Sequence, residues 1–113
     1  MHELAITEGI INVATNAADG RRIRRITMLI GALSSVVDDS VQFYFDFLSR
    51  ETLAEGASLQ FRRVPATATC LACGASHDVV PPLPLECAAC GSTQLRVTGG
   101  DQFLVESIEV DDP

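Results

Sequence analysis

The chain has 113 residues and a formal charge of −7, from 15 acidic residues against eight arginines and no lysine. That length suits one domain, or one domain with a small module. The charge argues against a nucleic-acid binder, whose affinity comes largely from neutralised phosphates.

Residues 3–18 read as a helix, with Leu4, Ile11, Ala14 and Ala18 on one face and Thr7 and Thr15 on or beside it. Asp19-Gly20 stops it. Residues 22–31 read as a strand in which Ile26, Met28 and Ile30 alternate with Arg25, Thr27 and Leu29. The cluster Arg21, Arg22, Arg24 and Arg25 reads as a solvated strand edge. A second helix is expected over 38–54, with Asp38 and Asp39 in its first turn. It carries two apolar stripes, Val41, Tyr44, Phe45 and Leu48 on one side and Phe43 and Phe47 on another, so it is either sandwiched, the reading we favour and expect to put both stripes in the core, or partly exposed for a partner.

Leu59 to Val64 reads as a strand closed by Pro65. Residues 102–110 read as a last strand whose alternation slips between Val105 and Ile108, which predicts a bulge near Ser107. These parts imply an α+β fold: two helices packed on a small mixed three-stranded sheet, with a four-cysteine zinc-ribbon module inserted before the final strand. The expected division is an α+β domain of residues 1–66 and 99–113, and a module of residues 67–98.

The N-terminal MHELAITEGI lacks a basic region and is interrupted by Glu3 and Glu8, so it does not read as a secretory signal. No apolar run approaches the length of a membrane span. We expect a soluble, cytoplasmic protein with neither membrane nor nucleic acid as partner. In a reducing compartment, its four cysteines point to metal rather than disulfides.

Those cysteines are spaced Cys70-x₂-Cys73-x₁₃-Cys87-x₂-Cys90, with Gly74 and Gly91 after each pair. Two intervening residues let one turn bring both sulfurs to the separation that tetrahedral zinc requires. Glycine then permits the left-handed backbone that folds amides toward the thiolates. Four sulfurs complete the coordination sphere, so the expected Zn²⁺ is structural and not catalytic. Such sites are worth ~10–16 kcal/mol apparent, enough to fold a module with little core of its own. His77, just past the first pair, reads as a surface residue because the metal is already saturated.

Met1-His2-Glu3 is a second metal candidate. The α-amine, the imidazole and the deprotonated amides of His2 and Glu3 could place four nitrogens around one ion. That tetragonal set suits Ni²⁺ or Cu²⁺ better than zinc. Taken alone, a Met-His-Glu start is a weak signal.

The opening MHEL, the stretch IGALSSV, the EGA after the second helix, CxxCG twice with CGS at Cys90-Gly91-Ser92, and the late GG-x₅-ESIEV together resemble the HypA/HybF family. The resemblance covers nearly the whole chain in order. It implies a nickel metallochaperone, not an enzyme, that delivers Ni²⁺ during [NiFe]-hydrogenase maturation. The implied partners are a HypB-type GTPase and the hydrogenase large subunit as recipient, and some members also serve urease maturation. By the family's motif His2 is the essential nickel residue, with Met1 and Glu3 contributing, and Cys70, Cys73, Cys87 and Cys90 match the structural zinc ligands. Ala5 and Ala88 depart from the serine and proline common in the family, but neither is a proposed ligand.

Three other readings compete. A zinc-ribbon nucleic-acid adaptor is opposed by the charge balance. An enzyme is opposed by the absence of a Ser-His-Asp arrangement, a phosphate loop or an open zinc site. A structural zinc scaffold without nickel transfer is distinguished only by whether nickel binds.

Overall fold

Helix α1 (Glu3–Ala18) turns Ile10, Ile11, Ala14 and Ala18 inward. Its two threonines sit on or near that face because each hydroxyl bonds the carbonyl one turn back: Thr7 to Glu3, and Thr15 to Ile11 at 2.7 Å. Thr7 is thereby fully buried without an unmet donor. The computed structural model describes residues 3–112.

Strand β1 (Ile23–Gly31) buries Ile26, Met28 and Ile30 completely, as its alternation predicts. The neighbouring arginines are committed locally. Arg24 pairs with Asp111 at 3.5 Å, Arg25 with Glu109 at 3.0 Å, and Arg22 donates to the Glu55 carbonyl at 3.0 Å.

Helix α2 (Asp38–Leu48) packs against α1 through Val41 and Phe45. It is shorter than the 38–54 expected from sequence. Ser49 caps it with an N–H to the Phe45 carbonyl, the Thr52 hydroxyl bonds the Ser49 carbonyl at 2.7 Å, and Glu51 takes φ +64°, which ends the helical path. The turns that follow are pinned by the Ile23 N–H to the Leu53 carbonyl at 2.8 Å and bury Ala54 and Ala57.

The second aromatic stripe is also not in the core. Phe43 is 68% exposed and Phe47 58%. Two residues along a helix turn the side chain by roughly 200°, so a helix covered on one side cannot bury 41 and 45 together with 43 and 47.

Strand β2 (Ser58–Val64) follows, then β3 (Ala66–Cys70), β4 (Ser76–Val79), β5 (Leu95–Thr98) and β6 (Phe103–Val110). They form two three-stranded sheets, in the orders β2-β1-β6 and β4-β3-β5. Exposure along β6 repeats at Glu106-Ser107, where its sequence alternation slips.

The chain divides into two compact units. The first takes the chain through Leu29, then Ser35–Arg62 and Leu104 onward; the second takes Ile30–Ser34 and Arg63–Phe103. The first unit holds the helices and most of the apolar core. In the second, the buried side chains are few and small: Ala66, Ala68, Cys70 and Cys87 beside Ile30. Among the described residues, no helix is long and apolar enough to cross a membrane.

Candidate metal centre

The two cysteine pairs fold as near-copies. The Cys70 N–H bonds the Ala75 carbonyl at 2.8 Å, and the Cys87 N–H bonds the Ser92 carbonyl at 2.7 Å. The Gly74 and Gly91 N–H groups return to the Cys70 and Cys87 carbonyls at 2.9 and 2.8 Å. Both glycines are left-handed, at φ +80° and +76°. A Cβ at either would meet nothing within 4 Å, so glycine is needed there for its backbone conformation and not for space.

The matched turns bring the four sulfurs within 4.8 Å of one another. Cys70 Sγ lies 3.6 Å from Cys90 Sγ, and Cys73 Sγ lies 3.7 Å from Cys87 Sγ. Four thiolates at ~2.3 Å from a tetrahedral ion stand about 3.8 Å apart, so the cluster fits such an ion. Disulfides, which need about 2.05 Å, are absent, and all four cysteines are free. Cys70 and Cys87 are buried, whereas Cys73 and Cys90 are exposed.

Backbone amides tune the sulfurs unequally. The Cys73 N–H, 3.4 Å from Cys70 Sγ, leads in drawing the Cys70 thiol down to about 6. Cys87 is lowered too, by the Cys90 amide first and then that of Ala89, which stands 3.4 Å away. At Cys90 the Ser92 amide pulls the thiol down, but the surrounding sulfurs of Cys70 and Cys73 outweigh it and push it up to about 12. The amides therefore favour the metal-binding thiolate form at Cys70 and Cys87, whereas the crowding of sulfurs favours the protonated form at Cys90.

Of the three N-terminal candidates, Met1 and His2 lie outside the described residues. Glu3 opens α1, is buried, and its carbonyl holds the Thr7 hydroxyl. His77 is exposed on β4. A cavity of about 280 Å³ beside the cysteine cluster, bounded by His77, Val79, Pro84 and Leu95 among others, has no signal in the sequence. It exists only because three short strands and the second cysteine turn converge.

Two three-stranded sheets, a helical pair and a closed cluster of four cysteines define a small metal-binding protein with a knuckle module. A family model described as hydrogenase/urease nickel incorporation, metallochaperone, hypA matches residues 1–110. The chain is 39% identical over 111 residues to the hydrogenase maturation factor HypA of Geobacter metallireducens, covering 98% of this chain and 100% of the relative. It is 41% identical over 120 residues to that of Dehalococcoides mccartyi, covering 99% and 96%. The solution structure of the Ni metallochaperone HypA from Helicobacter pylori superposes with a TM-score of 0.65 at 20% identity, covering 97% of each chain. The chain belongs to the HypA family of nickel-incorporation metallochaperones for hydrogenase maturation, and is not an enzyme.

Proposed function

We propose that this protein binds Ni²⁺ through Met1, His2 and Glu3 and delivers it to the [NiFe]-hydrogenase large subunit in the cytoplasm, acting with a HypB-type GTPase. Urease maturation proteins are further candidate partners. The observation that carries this reading is a family match that begins at residue 1, on a chain that opens Met-His-Glu. Nitrogen donors from the α-amine, imidazole and adjacent amides suit Ni²⁺ in a tetragonal plane. Glu3 sits at the start of a packed helix, so its backbone is held while the two residues before it supply donors.

The resident ion at Cys70, Cys73, Cys87 and Cys90 is Zn²⁺ in this proposal, since a closed tetrahedral S₄ set suits it. It supplies folding energy to residues 67–98, which bury little else, while residues 1–66 and 99–113 carry the nickel end. Handover needs no covalent step. Docking makes exchange local, and the recipient's softer thiolates outcompete a terminal nitrogen site.

The test is Ni²⁺ titration into zinc-loaded, untagged protein beside His2→Ala, followed by calorimetry and visible absorption. Binding of one equivalent with planar-site absorption, lost in the variant, is the expected result. Nickel binding that survives His2→Ala, or is absent throughout, leaves a structural zinc scaffold.

A further inference from the structure

Helix α2 shows solvent a second face. Asp39, Phe43, Asp46 and Phe47 fall on it by helical spacing, and Arg50, two turns after Phe43, continues it just past the last helical residue. All five are exposed. Phe43, Asp46, Phe47 and Arg50 line a groove of about 520 Å³. The Arg50 guanidinium stands 5.4 Å from the Phe47 ring centroid. Two neighbouring phenyl rings so displayed form a contiguous apolar patch of the kind that marks a contact site.

The spacing fits a second copy of the same helix. Positions 43, 46, 47 and 50 follow one another at intervals of three, one and three, an order that reads the same in reverse. A copy laid antiparallel about a two-fold axis therefore meets this comb in register, with Phe43 opposite Arg50 and Asp46 opposite Phe47. A two-fold contact requires such a self-complementary patch. Arg50 of one copy then lies on Phe43 of the other, between the Asp39 and Asp46 that flank that ring along the helix. Copies of a chain with a net charge of −7 repel one another in general. This register instead sets a cation of each copy against two acids of the other.

The area bounds the strength. The four phenyl rings of such a pair, each more than half exposed, bring together roughly 500 Å². A stable interface buries about 1,200–2,000 Å², so this contact is weak and reversible. We propose that two copies of this chain associate transiently through the Phe43–Phe47 face, α2 antiparallel to α2. The pairing is independent of where nickel binds.

The experiment follows the metal-loaded full chain by sedimentation equilibrium and amide NMR as its concentration is raised from micromolar to millimolar. The expected result is an average mass that climbs toward that of a pair, with concentration-dependent shifts concentrated at residues 43–50. Arg50→Glu is expected to weaken association at least about ten-fold, the combined range of two cation–π contacts and their ion pairs. Asp46→Lys, which gives up only an exposed contact with Gln42 at 2.7 Å, is expected to weaken it less. An equal mixture of the two variants is expected to associate more tightly than either alone, because Arg50 of one then meets both acids of the other. Circular dichroism of each variant verifies that it is folded. A chain that stays monomeric at millimolar concentration overturns the proposal and leaves the face to a different protein. Association that Arg50→Glu leaves unchanged, shifts centred elsewhere, or a mixture no more associated than its components overturns it as well.

Discussion

Gly31 and Gly100 meet backbone to backbone: a Cβ on Gly31 would lie 2.1 Å from the Gly100 carbonyl carbon. Three hydrogen bonds hold this junction, from the Gly31 N–H to Gln102 at 2.8 Å, Ala32 to Val64 at 2.7 Å and Leu33 to Gly100 at 2.6 Å. Gly100 itself is at φ +78°, with Ala66 Cβ 2.7 Å from where its own Cβ would stand. Gly31→Ala is expected to cost about 2–4 kcal/mol, because backbone and not a flexible side chain must give way. Gly99→Ala is the control: it is also left-handed, but the nearest atom is 3.9 Å away, so only about 1 kcal/mol of backbone strain is expected. Urea unfolding of the two variants separates the effects.

The cysteine cluster makes a second prediction. Cys73→Ser or Cys90→Ser is expected to lose the resident metal on dialysis and to melt the strands β3, β4 and β5, which bury little apolar surface of their own. The helical circular-dichroism signal, which arises from the other unit, is expected to remain. Acid releases the metal from the unaltered chain as well, because the ligands bind as thiolates and protons compete for them. Metal analysis after dialysis at falling pH checks both.

The aromatic stripes of α2 are expected to respond oppositely to truncation. Phe45 is buried to 1% exposure, so Phe45→Ala is expected to cost about 3–5 kcal/mol. Phe43→Ser and Phe47→Ser are expected to cost about 1 kcal/mol or less. They lose only the edge-on contact of Phe43 with Tyr44 and the Arg50 guanidinium 5.4 Å from the Phe47 ring centroid. Denaturation midpoints at unchanged m-value distinguish the two outcomes.

Arg62 grips the Glu106 carboxylate through two nitrogens, and this holds Glu106 below the usual carboxylate range. Since the folded value is the lower one, its contribution to stability is present above the unfolded value and is lost as pH falls through the folded value. Arg62→Ala is expected to return Glu106 to the ordinary range in a carboxyl NMR titration. Little change in melting temperature should accompany it, because both side chains are solvent-accessible.

The nickel proposal has a test that spares every side chain. One glycine added ahead of Met1 moves the α-amine away from the His2 imidazole. It is expected to remove the planar nickel absorption while leaving the metal of the cysteine cluster in place. Retention of that absorption would exclude the α-amine as a ligand.

Much of this is legible in the sequence because strong periodicity has few solutions. The alternation in β1 and the spacing of the cysteine pairs each define an element or a cluster that the structure bears out, and so does the expected face of α1 at Ile11, Ala14 and Ala18, but not at Leu4, which is 44% exposed. Helix α2 reads too long because Arg50, Glu51, Leu53 and Ala54 are good helix formers, while the left-handed backbone that Glu51 takes has no compositional mark. The expectation that Phe43 and Phe47 lie in the core fails because their hydrophobicity says nothing about how many sides of a helix have neighbours. The strands around the first cysteine pair escape a sequence reading, since Ser76–Val79 is short and polar and the Ala-Thr alternation of Ala66–Cys70 uses side chains too small to stand out as an apolar stripe. IGALSSV and the double glycine can be quoted as family marks, but only the close approach of Gly31 and Gly100 explains why they occur together.

Each cysteine pair joins one buried residue to one exposed residue. Cys70 and Cys87 are shielded, while Cys73 and Cys90 lie on the solvent side of the cluster that all four sulfurs form. Erosion of the centre therefore has a direction. An oxidant or alkylating agent reaches the exposed residues first, and timed alkylation read by mass spectrometry should find Cys73 and Cys90 modified ahead of the other two. Damage would then progress from the rim toward β3, leaving Cys70, anchored at the end of its strand, as the last to let go.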